Sequence, residues 1–144
     1  MAITQLSAYL ENRPGTLYEA LTSLTDAGVN IRALSVAETK DFGILRLIVS
    51  DVAKTKEALS DDIIVKETPV IAVKMNDQTG ALKEVLKILG DAAVNIEYVY
   101  AFTGSAKGGA YVVLRVDDLE GAEDILARHG IKTLNDEDMG GFLS

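Results

Sequence analysis

Two short stretches, each ending in glycine, have the side chains best suited to holding a small molecule. They are Asn12-Arg13-Pro14-Gly15 and Asp77-Gln78-Thr79-Gly80. Each stands directly before a run of leucines at helical spacing. Peptide N–H groups at a helix start point outward with partial positive charge, so they favour a carboxylate. Glycine at 15 and 80 lets a ligand approach the backbone closely. Asparagine offers both a donor and an acceptor, which suits a molecule with both an ammonium and a carboxylate. Asp77 can pair with an ammonium, and Arg13 with a carboxylate if it points inward. The same residues also have plain structural uses. Asn12 and Asp77 can cap a helix, Pro14 suits a first turn, and Asn30 and Asn95 fit tight bends.

Nothing comparable supports catalysis. The chain has no cysteine, which removes disulfides, thiolate metal sites and thiol nucleophiles. His129 is the single histidine and stands beside Gly130, as at a helix end, where it suits the dipole. No Ser-His-Asp set can be assembled around it. The net charge of −8, with 14 scattered Lys and Arg, opposes nucleic acid and anionic membrane surfaces. No apolar run approaches the ~20 residues of a membrane span, and the start Met-Ala-Ile-Thr-Gln has no basic leader pattern. A cytoplasmic protein without metal or cofactor is expected.

The chain repeats itself. Shifted by 65 positions, residues 15–31 (GTLYEALTSLTDAGVNI) fall on 80–96 (GALKEVLKILGDAAVNI) with ten of seventeen identical. Chance predicts about one or two. Each copy opens with an apolar strand, 3–10 and 70–75. A helix follows (Leu17, Leu21, Leu24; Leu82, Val85, Leu86, Leu89), with Gly28 as a stop in the first copy and Ala93 in its place in the second. A second strand starts at Val29 and Val94, and a hairpin leads back through 43–50 and 109–116. The second hairpin loop reads as one residue longer. A second helix follows Asp51 and Asp117-Asp118, and closing strands are expected at 62–67 and 131–134. The tail from Asn135 reads as irregular. Tyr98, Tyr100 and Phe102 share a strand face and suit core or subunit packing.

The order βαββαβ, twice, is an α+β arrangement: two tandem ferredoxin-like units, residues 1–68 and 69–144, with antiparallel sheets and helices on one face. With Thr68-Pro69 as the whole junction, the units are expected to pack side by side.

The run ENRPGTLYEALTSLTDAGVNI resembles the signature of the ACT domain, a regulatory module of amino-acid metabolism: N-x-P-G-x-L, an amphipathic helix, then G-[VI]-N-I. The first copy matches at Asn12, Pro14, Gly15, Leu17, Gly28, Asn30 and Ile31, the second at Asp77, Thr79, Gly80, Leu82, Asn95 and Ile96. The resemblance covers nearly the whole chain, implying no attached catalytic domain. It implies side-by-side pairing of units, with ligands at the pair interface touched by the strand–helix loop and the start of strand two. The ligand-binding residues so implied are Leu10, Asn12, Arg13, Pro14, Gly15, Thr16, Leu17, Asn30 and Ile31, with Met75, Asn76, Asp77, Gln78, Thr79, Gly80, Ala81, Leu82, Asn95 and Ile96. Serine-sensing members place a histidine two residues before the first asparagine; Leu10 and Met75 stand there instead, implying a more apolar wall.

The expected function is therefore a sensor of a free amino acid or related small carboxylate. It is expected to work as a homodimer and to act on a metabolic enzyme. The alternative is a regulatory subunit or dimerisation module that binds no ligand. Catalytic or metal-carrying relatives of the ferredoxin-like arrangement require a G-R-V-Q-G-V-like loop or Cys-x-x-Cys, and neither occurs.

Overall fold

A computed structural model describes residues 2–39, 41–59, 61–75, 80–103 and 110–136. They divide into two compact units: Thr4–Thr68, here the N-terminal unit, and Pro69–Ser144 with Met1–Ile3, the C-terminal unit. The elements are β1 (Ile3–Glu11), α1 (Thr16–Asp26), β2 (Ile31–Glu38), β3 (Phe42–Val49), α2 (Val52–Ala58), β4 (Ile64–Met75), α3 (Ala81–Asp91), β5 (Ile96–Thr103), β6 (Ala110–Val116) and α4 (Leu119–Arg128).

Within the N-terminal unit the antiparallel order is β2-β3-β1, and within the C-terminal unit β5-β6-β4. Alternate strand residues face the helices and build a core in each unit. In the first, Leu6, Ala8, Leu10, Leu45, Leu47 and Val49 meet Ala20, Leu24 and Leu59. In the second, Ile71, Val73, Met75, Val112, Leu114 and Val116 meet Val85, Leu89, Ala122 and Leu126. Each such leucine contributes about 2 kcal/mol by leaving water.

The two cores correspond residue by residue, at a spacing of 65 up to β2 and of 67 from β3 onward: Val49 matches Val116, and Asp51 matches Asp118. The second hairpin loop is therefore two residues longer, not one. A register shift repeats too, between Ile31 and Ala33 and between Ile96 and Tyr98.

Helix ends follow the local chemistry. Asp51 accepts the Lys54 N–H at 3.0 Å and Asp118 the Gly121 N–H at 3.0 Å, so both aspartates cap. His129 ends α4, its Nδ1 3.0 Å from the Ile125 carbonyl, and Gly130 turns left-handed at φ 73°. Helix α1 stops through Gly28 at φ 76°, with Gly28 N–H to Thr25 O at 3.0 Å and Val29 N–H to Leu24 O at 3.0 Å. This is the paired hydrogen bonding of a Schellman stop. Ala93 makes the same stop at φ 60°, with Val94 N–H to Leu89 O at 2.9 Å. The second copy thus ends its helix as the first does, without the glycine.

Two strand expectations change. The closing strand of 62–67 and the opening strand of 70–75 are one continuous β4 running through Thr68-Pro69. The closing strand of 131–134 is reduced to a single bridge, Val73 with Thr133, and a 2.8 Å hydrogen bond from Leu134 N–H to Ala72 O. The tail beyond Asp136 lies outside the described residues.

Candidate functional site

In the N-terminal unit the chain leaves β1 at Glu11 and turns back at once, Arg13 N–H bonding Glu11 O at 3.0 Å. Gly15 then adopts φ 88° and forms the helix cap without any side chain's help. That left-handed backbone is what requires glycine here. Gly80 repeats it at φ 88° before α3. Asn12 therefore does not cap α1. Its Nδ2 lies 3.4 Å from Glu38 Oε1, tying the turn to the end of β2. Pro14 is exposed and precedes the helix rather than opening it.

Thr16 fastens the turn: its Oγ1 donates to Glu11 O at 2.9 Å and lies 3.1 Å from Arg13 O. Arg13 is engaged by Glu11 at 3.1 Å and Glu19 at 3.4 Å, and the hydrogen bond to Glu11, then the charge of Glu19, raise its pKa. The Leu17 and Tyr18 amides have no acceptor among the described residues. Leu10 is buried beneath the turn, and Leu17 is 36% exposed. In the C-terminal unit Met75 is buried like Leu10, Ala81 stands where Thr16 does, and Leu82 is as exposed as Leu17. Asn76, Asp77, Gln78 and Thr79 lie outside the described residues.

Asn30 and Ile31 are placed elsewhere. Gly43 pairs with both Leu10 and Glu38, whereas Ile31 pairs with Val49, so Asn30 lies at the far end of the strands from Asn12. The eight residues of β2 span roughly 25 Å, too far for one small ligand to touch both asparagines of a unit. Asn95 and Ile96 are separated from Gly80 in the same way, since Met75 and Thr103 pair with Ala110 and Ile96 pairs with Val116. What Asn30 does is local: its N–H donates to Ser50 Oγ at 2.9 Å and its carbonyl accepts Ser50 N–H at 2.9 Å. Asp117 holds Asn95 likewise, at 2.9 and 3.1 Å.

A cleft lies against each turn. In the N-terminal unit it holds about 290 Å³ among Leu10, Glu11, Arg13, Thr16, Glu19 and Asp62. In the C-terminal unit it holds about 580 Å³ among Val73, Met75, Ala81, Lys83, Val85 and Ile131. The sequence reading missed a second feature. Leu34 and Val36 pair with Leu47 and Leu45 and so face the helix side, yet β2 ends the sheet and they remain 45% and 50% exposed. Val99 on β5 matches Leu34 and is 41% exposed. Nothing in the sequence of these strands signals that they are terminal.

The duplicated turn, the paired cores and the βαββ order meet one family. Residues 1–143 match the family described as an ACT domain pair. The chain is an ACT domain pair. Among solved structures, protein BT0572 from Bacteroides thetaiotaomicron is 37% identical, with a TM-score of 0.88 and 96% of each chain covered. The ligand-free regulatory subunit of aspartate kinase from Thermus thermophilus shares the fold at TM-score 0.59 and 12% identity, covering 87% of this chain and 91% of that one. Escherichia coli aspartokinase III, in complex with lysine and aspartate, matches at TM-score 0.51 and 16% identity over 89% of this chain and 31% of its own. A search of curated protein sequences gives no match. The ACT pair is a regulatory module, and no catalytic family is indicated. Among the described residues no helix is long and apolar enough to cross a membrane, and no group of three or more His, Cys, Asp or Glu is placed to hold a metal.

Proposed function

We propose that this ACT pair is a sensor that binds a free amino acid or a related small carboxylate at its strand–helix turns and passes the signal to a metabolic enzyme. The observation that carries this reading is the repetition of one left-handed glycine at a helix start. Gly15 and Gly80 hold the same left-handed conformation, each at the mouth of a helix and beside a cleft of small-molecule size. The lysine and aspartate of the E. coli aspartokinase complex belong to the same chemical class.

The ligand-contact set in this reading is Leu10, Asn12 and Gly15–Leu17, with Met75 and Gly80–Leu82. A ligand that also touched Asn30 or Asn95 would take them from another ACT unit. The exposed edge at Leu34 and Val36, repeated at Val99, supports a homodimer formed through terminal strands. The absence of cysteine fits a cytoplasmic setting.

Thermal-shift measurements with each free amino acid test the reading. A concentration-dependent rise in melting temperature for at least one of them is expected, because a ligand that binds only the folded chain stabilises it. No rise with any amino acid or with the corresponding 2-oxo acids would refute it. The exposed edge also favours a second reading, a ligand-free dimerisation module, which predicts that protein concentration raises the melting temperature while no amino acid or 2-oxo acid does.

A further inference from the structure

The free edge of β2 is complementary to itself. This strand ends the sheet, so one side of it carries backbone N–H and C=O groups with no strand beside them. Its residues are matched in pairs about Ser35. Leu34 and Val36 stand directly on either side and are both exposed. Ala33 and Ala37 come next, then Arg32 and Glu38, which carry opposite charges. Antiparallel pairing with a second copy, centred on Ser35, therefore sets Leu34 against Val36, Ala33 against Ala37 and Arg32 against Glu38, and makes each contact twice.

Both charged residues are open to this pairing. Arg32 is the residue passed over at the register shift between Ile31 and Ala33, so it has no partner in the β3 register. It is half-buried, its Nε is buried without a hydrogen-bond partner, and it has no ion pair among the described residues. An unbonded polar atom away from water is costly, and a carboxylate beside the guanidinium offsets that cost. Glu38 is exposed, with one oxygen 3.4 Å from Asn12 Nδ2 and no ion pair among the described residues.

The edge of β5 lacks this self-match. At the positions of Arg32, Val36 and Glu38 it has Glu97, Ala101 and Thr103. Glu97 is already paired with Arg115 at 3.3 Å. Pairing β5 with itself in the same register would set Glu97 against Thr103 and Val99 against Ala101. Pairing β2 with β5 would set Glu38 against Glu97 and leave Arg32 facing Thr103. Like charges directly opposite on paired strands repel. Resting on the reading of the chain as a homodimer through terminal strands, we propose that β2 of one copy pairs antiparallel with β2 of a second about Ser35, and that the two Arg32–Glu38 pairs fix this register and reject β5.

Cross-linking of the full chain tests this cleanly, since the chain has no cysteine of its own. Ser35→Cys lies on the axis and is expected to give a disulfide-linked dimer under mild oxidation. Tyr100→Cys, at the same place on β5, is expected to stay unlinked. Analytical ultracentrifugation at low salt gives the dimer dissociation constants. Arg32→Glu and Glu38→Arg each set like charges opposite one another twice, and each is expected to weaken the dimer about tenfold. The double variant restores opposite charges and is expected to return to within about twofold of the parent. Circular dichroism melts check that each variant folds, and the cross-link reads the register without any change of charge. Linkage at Tyr100→Cys but not at Ser35→Cys overturns the proposal and leaves a homodimer in place. So does a double variant as weak as the single ones. A parent chain that stays monomeric at every concentration overturns both the proposal and the homodimer, whereas the thermal-shift response to amino acids is independent of either.

Discussion

Ala93 is the sharpest test of the physical picture, because the same chain holds its own control. Both Gly28 and Ala93 close a helix with positive φ, 76° and 60°, and both stops carry the same pair of hydrogen bonds. A β-carbon in left-handed backbone costs about 1–2 kcal/mol. Glycine in its place loses about 0.4–1 kcal/mol through the greater freedom of its unfolded chain. The net gain expected for Ala93→Gly is therefore about 0.5–1 kcal/mol. Spread over an unfolding entropy of about 2.1 cal/mol/K per residue, that is a rise of roughly 2–3 °C in melting temperature. Gly28→Ala should lower it by a similar amount. A β-carbon built on Gly28 meets nothing within 4 Å, so the penalty there is purely conformational. The two substitutions share no partner and should cancel when combined. Urea and thermal melts of the three variants measure this. A destabilised Ala93→Gly, or a neutral Gly28→Ala, would refute the reasoning.

Other outcomes follow from the same structure. Asp118→Ala should cost about 1 kcal/mol by uncapping α4, and Asp51→Ala a similar amount at α2, both read from denaturant midpoints. Leu47→Ala removes a fully buried side chain from the first core and should cost about 2–5 kcal/mol by the same measurement. Burial raises the Tyr111 pKa above its ordinary 10.0. The unfolded chain therefore ionises first, so this residue's contribution is intact below pH 10 and is lost as pH rises through the folded value. A melting-temperature profile across the alkaline range should fall there, and less steeply in Tyr111→Phe. Leu34→Lys combined with Val36→Lys should shift the chain toward monomer in light scattering while leaving its circular dichroism unchanged.

Much of this molecule could be read from residue types and spacing. The leucines of α1 and α3, the glycines at 15 and 80 and the capping aspartates are local signals, settled by neighbours a few residues away. Their elements lie where the pattern placed them. What escaped was decided by partners distant in the chain. Asn12 looked like a cap because cap residues precede helices, but Gly15 took that role and left the amide to Glu38. The resemblance places Asn12 and Asn30 at an interface between paired units; within one unit they stand apart, because α1 carries the chain from one end of the sheet to the other. The expected strand at 131–134 has the right residue types, but only one bridge ties it to Val73. Nothing in Leu34 or Val36 announced that β2 would have a neighbour on one side only. The contents of the clefts depend on which side chains converge across three elements, and spacing along one element is silent on that.

Each half builds its own sealed interior, with matching positions from Leu6 and Ile71 through Leu59 and Leu126. A lesion in one interior thus has an undamaged twin in the same molecule. The duplication frees one half to drift in chemistry while the other preserves the architecture. Any residue exchanged between the halves becomes a matched comparison at constant backbone.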